Sequence, residues 1–235
     1  MPNAALTAVA TRILQRRYPG KDIPDFDLSA RAIPGYAVAR AKASLARRRA
    51  GEPQPWITQD AIAALTTLLK PTDDGLEFGS GGSTVWLARH SKSVRSVEAF
   101  DPWYEPMQKR LAAEGVTNAT VELVSAPKLG YRSDEHRTTY VNVFPDIAPE
   151  SLGFVFVDGE YRDEAALRGI DLLKPGGVLV LDNANTYLPS STSVPWKVRE
   201  PISADWKKFV QLTAGWRQIW TTNGVWDTVI WIKPS

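Results

Sequence analysis

The sequence predicts an α/β fold built on a largely parallel sheet with helices on both sides. Three observations carry that expectation. Short apolar runs alternate with helix-like stretches along most of the chain. Two of those runs, Phe154-Val155-Phe156-Val157 and Val178-Leu179-Val180-Leu181, are apolar throughout, as strands covered on both faces require. The run Leu76-Glu77-Phe78 opens into Gly79-Ser80-Gly81-Gly82 and then into a helix-like pattern, a junction suited to binding a ligand.

Composition sets the frame. The 235 residues are 43% hydrophobic and 23% charged, ordinary for one well-buried α/β domain with additions. There is no cysteine, which removes disulfides, thiolate chemistry and Cys-based zinc sites. No apolar run approaches the ~18 residues of a membrane span, and no apolar segment of a secretory signal follows Met1. The expectation is a soluble, cytoplasmic protein. Charge is uneven: residues 1–50 hold ten basic and three acidic residues, about +7, against about −5 for the rest. This head reads as a helical N-terminal extension over 1–55, packed as a solvated cap on a 56–235 domain. A nucleic-acid arm, an anionic-membrane patch and an organellar transit peptide are its other readings. No aromatic ladder interleaves the arginines, so nucleic acid is disfavoured as a partner.

Taken in order, Leu6, Val9, Ala10, Ile13 and Leu14 line one side of a helix that Tyr18-Pro19-Gly20 stops. A second helical stretch covers about Ser29 to Arg49, and Gly51-Glu52-Pro53-Gln54-Pro55 marks the boundary. Thr58 is placed to cap a helix running to about Lys70. After the turn at Pro71 to Gly75 come the first strand, the glycine turn, and a helix to His90, with Ser83 and Thr84 at its start. Val94 to Glu98 reads as a second strand, and Asp101 to about Gly115 as a helix. Val121 to Val124 is a third strand. Pro127 to Pro149 is a long polar connection holding Tyr131, Arg132, His136 and Arg137, a candidate substrate wall. The fourth strand ends in Asp158-Gly159-Glu160-Tyr161-Arg162. A helix to about Leu173, a turn at Lys174-Pro175-Gly176-Gly177, and a fifth strand ending in Asp182-Asn183 follow. A second polar loop runs to about Ala204, with a short helix over Asp205 to Thr213. Asn223-Gly224, between the Trp216 to Trp220 run and the Trp226 to Ile232 run, signals a hairpin.

The pattern Glu77-x-Gly79-x-Gly81-x-Ser83 resembles the first motif of the class I S-adenosylmethionine-dependent methyltransferases. Glu98 follows Gly81 by 17 positions, close to the ~20-residue interval at which nucleotide-binding folds place a ribose-binding acid. The dinucleotide fingerprint fails, because Thr84 stands where its third glycine would be. The resemblance covers about Trp56 to Lys233. It implies a Rossmann-like, seven-stranded, mostly parallel sheet closed by a C-terminal antiparallel hairpin. It also implies that S-adenosylmethionine is the cofactor, bound through Trp56, Thr58, Glu77, Gly79, Ser80, Gly81, Ser83, Glu98, Ala99, Ser125, Ala126 and Asp158. Glu98 would take the ribose hydroxyls. The acid that often reads adenine after the third strand is missing, so Ser125 and backbone would serve.

Asp158, Asp182 and Asn183 resemble the metal triad of the catechol-type O-methyltransferases, and three hard oxygen ligands would suit Mg²⁺ as an optional cofactor. Those enzymes carry a lysine three residues past the first Asp, where this chain has Tyr161. The expected activity is methylation of a small molecule at oxygen, with Asp158, Asp182 and His136 as catalytic residues. Glu160 and Tyr161 are further candidates for the base, and Arg162 reads as an exposed helix-start ion pair. The other functional readings are a nucleic-acid methyltransferase using the basic head, a cofactor-binding interaction protein without turnover, and an NAD-dependent oxidoreductase. The sequence allows a homodimer.

Overall fold

The computed structural model describes residues 53–126, 133–194 and 197–235, with residues 35, 37–41 and 45 of the N-terminal region, which are helical. The expected Leu6 to Arg17 helix lies outside the described residues, as do Tyr131, Arg132, Pro195 and Trp196.

Seven strands form one sheet: β1 (Asp74–Phe78), β2 (Ser93–Glu98), β3 (Ala119–Leu123), β4 (Leu152–Val157), β5 (Leu173–Asp182), β6 (Arg217–Thr222) and β7 (Asp227–Ile232). Their order is β3-β2-β1-β4-β5-β7-β6. β1 to β5 pair in parallel, whereas β7 is antiparallel to both β5 and β6. This is the Rossmann-like sheet with a closing hairpin. The chain moves outward from β1 through β2 to β3, then returns to start β4 on the other side of β1. The reversal puts a topological switch point between β1 and β4, where open α/β sheets bind ligands. Phe78 pairs with Val157 there, and Asp158 N–H donates to the Phe78 carbonyl at 2.9 Å.

Strand alternation sorts the core into two layers. Phe154, Phe156, Val178 and Val180 face helices α1 (Gln59–Leu68) and α2 (Gly82–His90), meeting Ala61, Leu65, Trp86 and Leu87. α3 (Asp101–Ala113) packs Met107 and Leu111 against Val121. Val155, Val157, Leu179 and Leu181 point the other way, toward α4 (Asp134–Val141), α5 (Arg162–Leu172) and α6 (Ala204–Leu212). Burying each such side chain is worth about 1.5–3 kcal/mol. Both faces of the central strands are therefore dry, and polar groups collect at the strand ends.

Two elements depart from the sequence reading. The polar connection after β3 contains α4, capped by Ser133, whose hydroxyl accepts from His136 N–H at 3.0 Å, with Asp134 and Glu135 in its first turn. Lys174 to Gly177 is not a free turn, because β5 begins at Leu173 and its pairing with β4 shifts register between Leu152 and Phe154. Among the described residues no helix is long and apolar enough to cross a membrane.

Candidate active site

At the C-terminal end of β1 the chain turns through Gly79, which has φ 96°. A Cβ there would lie 2.7 Å from the Gly159 Cα, so the turn needs glycine both for its backbone conformation and for its contact with the β4 loop. Two carboxylates hold this turn from different sides. Glu77 lies beneath it, fully buried. Thr84 Oγ1 donates to Glu77 Oε2 at 2.6 Å, the Ser96 hydroxyl donates to the same oxygen, and Gly81 N–H donates to Thr84 Oγ1 at 2.9 Å. Burial pushes the Glu77 carboxyl up to about 7, opposed by the hydroxyls of Ser83, Ser96 and Thr84 and reinforced by the charge of Asp158. The resemblance put Glu77 among the cofactor-binding residues; the structure places it behind the backbone of the turn, fully buried, where the turn's own hydroxyls reach it.

Glu98, at the end of β2, reaches across the top. Its Oε2 accepts from Ser80 N–H at 3.1 Å and Ser80 Oγ at 2.7 Å, and its Oε1 accepts from Ala99 N–H at 2.9 Å and Phe100 N–H at 3.0 Å. Trp103 Nε1 donates to the Ser80 carbonyl at 3.0 Å. Beyond β3, the exposed Ser125 donates through Oγ to Asp101 Oδ2 at 2.9 Å, and Ala126 N–H is engaged with the Ala99 carbonyl at 3.1 Å. The side chain of Asp101 thus stands beside Ser125, where the sequence showed no acid on the β3 loop itself.

On the other side of the switch point, Asp158 follows β4 and Asp182 ends β5. Arg162, at the first position of α5, turns back between them. Its Nε donates to the Gly159 carbonyl at 3.0 Å, its Nη1 to the Asp182 carbonyl at 2.7 Å, and its Nη2 to the Asp158 carbonyl and Oδ1, each at 2.7 Å. Its side chain is 10% exposed, so the expectation of a solvated helix-start pair is corrected: the arginine knots two strand ends together. Asp182 is buried; Thr228 Oγ1 donates to its Oδ1 at 2.8 Å and Asn183 Nδ2 to its Oδ2 at 2.7 Å. Burial and the nearby Asp158 hold its carboxyl above the ordinary carboxylate range, against Arg162 and Thr228. Tyr161 and Asn183, one on each of these loops, both take left-handed backbone, at φ 47° and 55°. For a buried tyrosine that conformation costs about 1–2 kcal/mol.

The Asp158, Asp182 and Asn183 set does not fit Mg²⁺. Octahedral coordination at about 2.0–2.1 Å needs oxygens turned toward one point. Here a guanidinium lies on Asp158, both Asp182 oxygens accept from protein groups, and Asn183 presents its NH₂ to Asp182.

Three sequence-predicted residues belong elsewhere. His136 is not a loop residue: it is buried on α4, with Nε2 at 3.0 Å from the Val124 carbonyl and Nδ1 at 2.9 Å from the Tyr161 hydroxyl. A carbonyl only accepts, so Nε2 carries the hydrogen and Nδ1 faces the phenol. Both ring nitrogens are spent on the fold. Thr58 is buried against the hairpin: its N–H donates to Thr228 Oγ1 at 3.2 Å, its hydroxyl pairs with Thr221 Oγ1 at 2.5 Å, and it caps α1 by accepting from Ala61 N–H at 3.3 Å. Trp56 is 61% exposed. Gly79, Ser80, Gly81, Ser83, Glu98, Ala99, Ser125, Ala126, Asp158, Asp182 and Asn183 do converge at the strand ends.

Residues 76–184 match a family described as a methyltransferase domain, a span running from β1 through the end of β5. A Mycobacterium avium protein bearing an O-methyltransferase name is 29% identical over 162 residues, spanning 63% of this chain and 69% of its own. Residues 76–184 thus carry a methyltransferase domain, and the chain resembles the S-adenosylmethionine-dependent methyltransferases. Among solved structures, a Bacillus cereus O-methyltransferase in complex with S-adenosylhomocysteine aligns over 97% of this chain and 99% of its own, at TM-score 0.52 and 14% identity. A methyltransferase-like protein of Silicibacter pomeroyi aligns over 78% and 90%, at TM-score 0.52 and 19% identity. At such identities these likenesses speak to fold alone, and they agree on the Rossmann-like sheet.

Proposed function

We propose that this methyltransferase moves the methyl group of S-adenosylmethionine to an oxygen of a small molecule. The observation that carries the reading is the contact between the Gly79 turn and the Asp158-Gly159 loop across the switch point, which brings a cofactor cradle and a pair of carboxylates to one place. In this reading the ribose diol lies on Glu98, the adenine lies toward Ser125, and the sulfonium faces the β4 loop. The acceptor oxygen attacks the methyl carbon in line, the C–S bond breaks, and the cofactor leaves as a neutral thioether. Asp158, whose side chain keeps 28% of its surface exposed while Glu77, Glu98 and Asp182 are buried, is the carboxylate placed to take the acceptor's proton. Holding acceptor and methyl in line is the larger contribution, since such orientation can be worth an effective molarity of about 10⁵–10⁸ M. The O-methyltransferase name of the Mycobacterium avium relative supports oxygen as the target.

The test combines calorimetry with S-adenosylhomocysteine and a turnover screen of hydroxyl- and carboxyl-bearing small molecules, followed by product mass. Tight cofactor binding with methylation at oxygen supports the reading. Methylation at nitrogen or carbon, or turnover only with RNA or DNA and steeply lost with salt, would replace it.

A further inference from the structure

We infer that Arg162 holds the place a divalent cation would take between the β4 and β5 strand ends, so that this methyltransferase works without a bound metal. The inference rests on the acceptor site proposed above and adds the chemistry of its fixed positive charge.

The carboxylate of Asp158 and the backbone of Asp158, Gly159 and Asp182 all converge on one cation, and that cation is a side chain. Three of its acceptors are backbone carbonyls. Swinging Arg162 out would orphan all three in a site where the guanidinium is 10% exposed, and each buried acceptor left unpaired costs about 1–3 kcal/mol. Nor can the arginine yield by losing its proton, as a buried lysine could. A metal entering beside it would meet an undischargeable like charge at close range, and would also have to detach Thr228 and Asn183 from Asp182. Every donor that makes the set a poor metal cage is protein, and all are already paired. What Arg162 supplies instead is position: it pins Asp158 to the end of β5 and keeps one fixed positive charge beside it.

The probe is Mg²⁺ alone, titrated by calorimetry into the full chain with and without S-adenosylhomocysteine, with the melting temperature read in parallel. Wild type is expected to show no saturable heat and no shift that depends on Asp158. Arg162→Met, which keeps apolar bulk and removes the charge, is expected to gain a saturable Mg²⁺ signal that Asp158→Asn then abolishes. Wild-type Mg²⁺ binding lost in Asp158→Asn overturns the inference, and so does a folded Arg162→Met that gains none. Wild-type binding that survives Asp158→Asn also overturns it, because the protein would then carry a metal at another place. Should Arg162→Met not fold, the comparison of wild type with Asp158→Asn decides by itself. The S-adenosylhomocysteine titration reports separately on the cofactor site, so failure there is not confused with failure here.

Discussion

Glu98 and Asp158 stand at the ends of strands that flank β1 on either side, and the fold treats them differently. Glu98 accepts four hydrogen bonds, all from uncharged groups: three backbone N–H and the Ser80 hydroxyl. Asp158 is held by a guanidinium anchored on three carbonyls. A ligand diol offers the same kind of donor that Ser80 now gives Glu98, so exchange there is isoelectronic and cheap. Replacing Arg162 at Asp158 would mean expelling a charge. The β2 end is thus open to ligand exchange and the β4 end is locked, a division drawn by charge rather than by the shared identity of the residues as strand-end acids.

The sharpest way to break this contrast is Glu98→Ala. It should weaken S-adenosylhomocysteine about 30- to 150-fold by calorimetry, the effect of losing charge-assisted hydrogen bonds worth about 2–3 kcal/mol; unchanged affinity would place the ribose elsewhere. Next comes Glu77, the acid behind the turn. It holds its proton to about 7 in the fold and ionises near its ordinary 4.5 when unfolded, so its contribution to stability is full below about 4.5, falls as pH rises to 7, and is absent above. Glu77→Gln should therefore flatten the fall in denaturant midpoint between pH 5 and 8 and gain on the order of 2 kcal/mol over wild type at pH 8. A parallel pH profile for the two proteins would mean that burial does not hold the Glu77 carboxyl above its ordinary range. His136→Gln should lose about 1–3 kcal/mol of stability through its two buried contacts, while methyl transfer survives; abolished turnover in a folded variant would return the histidine to the catalytic set. Smallest is Thr58→Val, expected to cost about 0.5–2 kcal/mol as a lost helix cap and to leave cofactor affinity untouched. A drop in that affinity would draw the N-terminal edge of the domain into the site.

Much of this was legible in the chain because it is local. Glycine at 79 is demanded by a positive φ and a close neighbour, and the spacing from the glycine turn to Glu98 follows from one helix and one strand of ordinary length. The fully apolar runs announced β4 and β5 because strands covered on both faces admit no polar alternation. The α4 helix was missed although its signal is present: Ser133 followed by Asp134 and Glu135 is a capped helix start. No local pattern marked His136 as buried, since Val124 and Tyr161 reach it from elements 12 and 25 residues away. Nor did any pattern join Asp101 to Ser125, 24 residues apart.

The order of apolar runs, the glycine turn and the acids at the strand ends were determined by the sequence alone, because backbone conformation and period-two burial depend on near neighbours. Which of those acids stays exchangeable and which is locked was decided only in three dimensions. Arg162 finds its partners at 158, 159 and 182, and Asp182 finds Thr228 across the hairpin. A charge buried at a strand end takes its meaning from whatever the neighbouring strand brings to it, and that neighbour is set by topology, not by adjacency in the chain.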